Sequence, residues 1–158
     1  MAERPTPEDL ALWQRRLASQ ANNRAWALAE ALHRSPEEDE EMLHAAHAAI
    51  YFWNIIGKPS NHAHAAQLLA HVCALLKLPQ QAAHYLSKSL PYFMQNDCSP
   101  SEVAFAHAVA ANVAYAVGDP ESHAMHYSQA QAAIAHVSNA EERKIFEATL
   151  RVIPAPSR

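Results

Sequence analysis

The chain has 158 residues, a formal net charge of −4, 50% hydrophobic residues and only 18% charged residues. Alanine, the strongest helix former, is abundant, whereas only two glycines are available for tight β-turns. The composition therefore predicts an all-α protein, and the length suits a single domain with its own core.

The same totals argue against several classes of protein. A nucleic-acid binder needs a basic stripe to displace counterions, and no Lys/Arg run is longer than the pair Arg15-Arg16. No stretch approaches the ~20 apolar residues of a membrane span. The first residues lead into acids, so no signal peptide is expected. Cys73 and Cys98 are too few for a disulfide framework, and Cys73 is expected to be a buried reduced thiol. We expect a cytoplasmic protein that binds neither nucleic acid nor a membrane.

Helix starts are marked by a capping side chain, followed by proline and then by an acid. This device begins at Thr6, Ser35, Ser99 and Asp119, and Ser138 is predicted to open a capping box without proline. The glycines, Gly57 and Gly118, are predicted to end two helices.

The apolar residues between these signals recur every three or four positions, which is typical of amphipathic helices. In the first helix the apolar stripe includes Leu10, Trp13 and Leu17, and Asn22-Asn23 could interrupt it. Short connections predict that successive helices pack antiparallel as hairpins. Residues 1–152 are predicted to form one helical-repeat domain and 153–158 a C-terminal tail. The seven predicted helices cover about 7–33, 36–56, 60–77, 79–94, 100–117, 120–137 and 139–152.

The segment 65–93 is similar to the segment 107–135 at a shift of 42 residues, as from Ala66 to Ala108. Each copy reads as two helices separated by a short turn that contains proline. A single hairpin cannot bury its apolar stripe alone, so the copies are predicted to stack. The other matched positions are Ala74 with Ala116, Ala82 with Ala124, and His84-Tyr85 with His126-Tyr127.

Over about 60–137 the chain resembles the tetratricopeptide repeat (TPR) family. The turn Gly118-Asp119 is followed by Tyr127 and Ala130 at the spacing of the family motif, although His123 stands where the motif has alanine. The corresponding residues of the other copy are Ala82, Leu86 and Ser89. The resemblance implies a divergent, TPR-like stack of antiparallel helix hairpins.

A second resemblance is to a family of uncharacterised bacterial TPR-like proteins. It is carried by the runs Met42-Leu43-His44-Ala45-Ala46-His47-Ala48-Ala49 and Ala140-Glu141-Glu142-Arg143-Lys144-Ile145-Phe146-Glu147, together with Trp53. This resemblance implies a bacterial helical-repeat scaffold and transfers no activity.

Stacked hairpins usually present the first helix of each pair to a binding groove. If helices one-two, three-four and five-six pair, the groove is predicted to be lined by the following residues of the third and fifth helices: His64, Gln67, His71, His107, Ala111 and Tyr115. If the second helix opens a pair, the groove residues are instead predicted to be Glu41, His44, His47 and Tyr51. The sequence leaves both alternatives open. A tryptophan exposed in such a groove would mark an anchor for a partner.

Eleven histidines raise the alternative of a metal site. Glu41, His44 and His47 share one helix face, but the second Glu-x-x-His motif that a di-iron bundle requires is absent from the sequence. Neither a nucleophile elbow nor a glycine-rich phosphate loop is present. We therefore expect a non-catalytic scaffold that needs no cofactor or metal and binds a protein, a peptide or another copy of itself. The alternative is a metal-dependent helical-bundle enzyme with histidine ligands such as His44, His47 and His126.

Overall fold

The computed structural model describes residues 4–95 and 97–157. Within these ranges the protein consists of seven α-helices and contains no β-strand, which confirms the predicted all-α class. No helix in these ranges is long and apolar enough to cross a membrane. The helices are α1 (Pro7–Ala29), α2 (Pro36–Ile56), α3 (Pro59–Leu75), α4 (Pro79–Gln95), α5 (Pro100–Val117), α6 (Pro120–Ile134) and α7 (Ala140–Arg151).

The predicted capping residues begin their helices. Thr6, Ser35 and Ser99 each accept a hydrogen bond from the backbone N–H three residues later, and an acid at that position bonds back to the capping residue. The start predicted for α7 is wrong by one residue, because Asn139 rather than Ser138 is the cap and accepts from the N–H of Glu142 at 3.0 Å.

Each of the two glycines marks the end of a helix. Gly57 and Gly118 follow the last residues of α2 and α5, as predicted. The first, third, sixth and seventh helices end one to four residues earlier than predicted, because apolar residues continue past the last helical turn. Asn22-Asn23 does not interrupt α1.

Consecutive helices form three hairpins. Neighbouring hairpins pack through α2 with α3 and α4 with α5, and also through a row that consists of α1, α3, α5 and α7. The most extensive interfaces join α1 with α2, α3 with α4, and α5 with α6. Within the row, α3 contacts both α1 and α5, and α5 contacts α7. The structure therefore selects the first of the two predicted pairings, in which the first helix of each hairpin belongs to the row.

The two middle helices of the row, α3 and α5, are buried on nearly all sides along their central segments. Every residue from Ala65 to Ala74 in α3 and from Ala106 to Ala114 in α5 is buried. Alanine dominates both segments, and its small side chain lets several helices approach closely. Core residues from the second helices, such as Met42 and Phe93, complete the packing.

The turns inside the second and third hairpins are equivalent. Lys77 (φ 58°) and Gly118 (φ 79°) both adopt the left-handed conformation. In each turn the next residue donates its N–H to a carbonyl oxygen five positions earlier, that of Cys73 or Ala114, at 2.9 Å. This pattern is a common way to end a helix.

The structural repeat is therefore 41 residues, as from Pro79 to Pro120, and the predicted shift of 42 residues is wrong by one. A shift of 41 residues aligns buried Ala82 with buried His123, whereas a shift of 42 residues would align it with exposed Ala124. Alignment of the chain with itself is ambiguous in the alanine-rich helices, because alanines still match alanines when the alignment is shifted by one residue.

The apolar stripe predicted for the start of α1 is not buried. Leu10, Trp13 and Leu17 are 46%, 53% and 47% exposed, whereas the buried residues of α1 include Ala25 and Leu28 near its end.

Candidate functional site

A cleft of ≈ 320 Å³ opens between the four helices of the row. Each of these helices supplies part of its lining, so the cleft exists only when the hairpins are stacked. Its principal residues are Trp26 from α1, Glu30 just after α1, His64 and Gln67 from α3, Glu102 and Phe105 from α5, and Ile145 from α7.

The walls of the cleft are aromatic. The half-buried Trp26 ring stacks on His71, with ring centres 5.6 Å apart and planes inclined by 29°. It also makes an edge-to-face contact with Phe105, at 6.3 Å and 77°. Such contacts hold large rings in fixed positions, so the cleft presents a defined apolar surface.

Gln67 lines the cleft and is only 4% exposed. Its Nε2 is buried and has no hydrogen-bond partner among the described residues. Most buried polar atoms in folded proteins are paired, so an unpaired amide in the lining of a cleft indicates a place where a ligand can bond.

The cleft lining also contains a histidine and a carboxylate that lie close together. His64 Nδ1 lies 2.7 Å from the Ser60 carbonyl oxygen, to which it can only donate, so Nδ1 carries a proton. Its Nε2 lies 3.4 Å from Oε1 of Glu102, and the two groups form an ion pair when the ring is protonated. The other carboxylate oxygen of Glu102 accepts from the N–H of Ser99 at 2.9 Å. Glu102 therefore has a backbone partner at one oxygen and, when His64 is protonated, a side-chain partner at the other.

Glu30 is the second acid of the lining and is half buried. Burial raises the pKa of its carboxyl group, and the positive charge of Arg151 lowers it in part. The Arg151 side chain donates to the backbone carbonyl oxygen of Glu30 at 3.4 Å. Among the described residues no donor hydrogen-bonds to the Glu30 carboxylate itself.

The groove residues predicted for the first pairing lie in different parts of the structure. His64 and Gln67 both lie in the cleft. His71 is completely buried behind Trp26 and therefore does not line an open groove. The prediction is also wrong for His107 and Ala111, which are buried and lie outside the cleft lining. Tyr115 lies at a second cleft of ≈ 350 Å³, where its ring is 5.3 Å from that of His123.

The residues predicted from the other pairing lie along α2, outside the lining of the cleft. Glu41 binds Arg24 with two hydrogen bonds of 2.6 and 2.8 Å. His44, His47 and Tyr51 are exposed, and Tyr51 is 63% exposed. This part of α2 is a solvated helix face.

One histidine pair was not predicted from the sequence. Nδ1 of His107 in α5 lies 3.0 Å from Nδ1 of His126 in α6. One of these nitrogens must donate and the other accept, so the two rings share one proton between these atoms. Burial lowers the pKa of both rings, and the charge of His126 lowers that of His107 further. The described part of the chain does not bring three potential metal ligands (His, Cys, Asp or Glu) together.

The cleft residues Trp26, Glu30, Glu102, Phe105 and Ile145 were not predicted as a site either. They come from three helices that are far apart in the sequence, and no local motif connects them. The one available signal was the general expectation that a tryptophan in a groove marks an anchor.

Cys73 is buried, as predicted, and burial raises the pKa of its thiol to about 11. The reactive form of cysteine is the thiolate. This residue is therefore part of the core rather than a nucleophile.

Comparison of the chain with protein-family models, curated proteins and solved structures found no match.

Proposed function

We propose that this protein is a non-catalytic, TPR-like scaffold that binds a peptide segment of a partner protein in the cleft of the helix row. The TPR-like assignment is supported by the second and third hairpins, which are related by a shift of 41 residues, as from Pro79 to Pro120. The bacterial and cytoplasmic setting belongs to the same proposal and rests on the sequence resemblance.

The observation that carries the proposal is the cleft itself. It combines fixed aromatic walls, contributed by Trp26 and Phe105, with an unpaired buried amide at Gln67. Binding sites are typically concave and mostly apolar, with a few polar groups that orient the ligand. In addition, Ile145 at the rim is 51% exposed. An apolar rim of this kind gains from being covered by a partner.

Affinity purification from the native cells tests the proposal. Ile145→Asp places a charge at the rim without removing a core residue, and it is expected to release the captured partner. Met125→Asp is the matched control, because Met125 on α6 is 49% exposed and lies outside the cleft lining. Capture that survives Ile145→Asp, or that is lost equally in both variants, would contradict a role for the cleft.

The alternative predicted from the histidine content has its own test. A metal-dependent enzyme would contain stoichiometric metal on elemental analysis and would melt at a lower temperature in a chelator. We expect neither result for the purified protein.

A further inference from the structure

Two polar groups of the cleft have unused bonding capacity and opposite character. Gln67 Nε2 is a buried donor without a partner among the described residues. The Glu30 carboxylate is a half-buried anion, and burial outweighs Arg151 in its effect on the pKa of this group. A ligand that supplies an oxygen to the first group and a cation to the second would satisfy both.

The apolar part of the cleft lining is suited to an aromatic ring. Trp26, Phe105 and Ile145 contribute apolar lining, and the two aromatic rings are already fixed by their contacts with each other and with the core. A third ring can add edge-to-face or offset contacts to such a pair.

The size of the cleft suits one side chain better than a larger molecule. Its ≈ 320 Å³ lies at the lower end of the range for small-molecule pockets, which is roughly 300–1,000 Å³. A phenolic hydroxyl both donates and accepts, so it pairs with the Gln67 amide in either orientation of the amide.

We infer that the cleft binds a tyrosine side chain of a peptide in which a lysine or arginine is next to the tyrosine. The ring lies against Trp26 and Phe105, the hydroxyl bonds to Gln67, and the neighbouring cation pairs with Glu30. This inference rests on the proposed function and specifies the chemistry of the partner segment.

Short synthetic peptides test the inference on the whole protein. The probes are acetyl-Gly-Tyr-Lys-Gly-amide and its analogues with phenylalanine for tyrosine or glutamate for lysine. Binding is followed by NMR through the Trp26 indole N–H and the Gln67 side-chain amide. We expect the phenylalanine peptide to bind about fivefold more weakly, because it lacks one hydrogen bond. We expect the glutamate peptide to bind about tenfold more weakly, because it places an anion near Glu30.

Two variants show which residue causes each preference. Gln67→Leu is expected to bind the tyrosine and phenylalanine peptides equally while still preferring lysine over glutamate. Glu30→Gln is expected to lose most of the lysine preference while retaining the tyrosine preference. Circular dichroism checks that both variants fold. Because Glu30 lies just after the last residue of α1, its variant remains informative even if the buried Gln67 does not tolerate replacement.

Several results would overturn the inference. Equal affinity of the wild-type protein for the tyrosine and phenylalanine peptides would show that Gln67 does not read the hydroxyl. Signals at Trp26 that stay unchanged at millimolar peptide would exclude this peptide chemistry. Tyramine contains the same phenol and cation without a peptide backbone, so tyramine that binds as tightly as the tetrapeptide would reassign the cleft to small aromatic amines.

Failure of the inference is distinguishable from failure of the proposed function. If the tetrapeptides do not bind but Ile145→Asp still releases the native partner, the partner chemistry is wrong and the scaffold function stands. If Ile145→Asp leaves capture unchanged, the proposed use of the cleft fails whatever the peptides do.

Discussion

Acidification is expected to destabilise the fold through His71. The ring is completely buried, and its Nδ1 lies 3.0 Å from Nδ2 of Asn112. The amide donates to Nδ1, so the ring proton is on Nε2, which has no partner among the described residues. Burial, together with the positive charge of Arg34, lowers the pKa of His71 from 6.5 to about 4.

The size of the effect follows from this difference in pKa. Each pKa unit corresponds to about 1.4 kcal/mol, so the change from 6.5 to about 4 corresponds to about 3 kcal/mol. The unfolded chain binds a proton at His71 more readily than the folded protein does. The stabilising contribution is therefore complete above pH 6.5 and is lost as the pH falls towards 4.

Urea unfolding of the wild type and of His71→Gln between pH 7 and pH 4 measures this contribution. Glutamine cannot titrate in this range but can still accept a hydrogen bond from Asn112. The stability of the wild type relative to the variant is expected to fall by about 3 kcal/mol between pH 7 and pH 4. Other groups that titrate in both proteins cancel in the difference.

The exposed His33 provides a matched control, because His33→Gln removes a histidine without changing the core. Unfolding of this control over the same pH range shows the effect of removing a histidine outside the core. A His71→Gln difference that stays constant to within about 0.5 kcal/mol would refute the argument from burial.

Two further predictions concern the helix ends and the histidine pair. A Cβ at Gly57 would lie 2.5 Å from a backbone oxygen, whereas Gly118 has open space but a φ of +79°. Gly57→Ala is therefore expected to cost about 2–3 kcal/mol in urea unfolding, and Gly118→Ala about 1–2 kcal/mol; the reverse order would contradict the clash at Gly57. His126→Gln is expected to raise the pKa of His107 towards 6.5 in an NMR titration, because the neighbouring charge disappears while burial remains. An unchanged value would show that burial alone sets the pKa of His107.

The positions of the helices were largely readable from local chemistry. Thr6, Ser35 and Ser99 begin helices because a side-chain oxygen can satisfy a free N–H in any fold, and this requires only neighbouring residues. Gly118 ends a helix because the left-handed conformation costs glycine little. Lys77 adopts the same conformation with no glycine to announce it, so the sequence did not predict this turn in detail.

The sequence revealed the repeat but gave its register incorrectly by one residue. Alanine-rich segments match one another at neighbouring shifts, and the equivalence of Pro79 and Pro120 is clear only from the hydrogen bonds of the two turns. In the correct register His71 and Asn112 are equivalent positions of successive hairpins, and they bond to each other across the interface between α3 and α5. A conventional core pattern would have placed apolar residues at both positions.

The sequence by itself determined the helical class, most helix boundaries and the tendency of the hairpins to stack, because propensity, capping and periodicity act between residues close in the chain. Only the tertiary structure decided which faces are covered. It left Trp13 exposed and placed His71 beneath Trp26. It also brought α1, α3, α5 and α7 together around Gln67. Burial and the composition of a cleft depend on contacts between distant helices, and no local pattern in the chain specifies them.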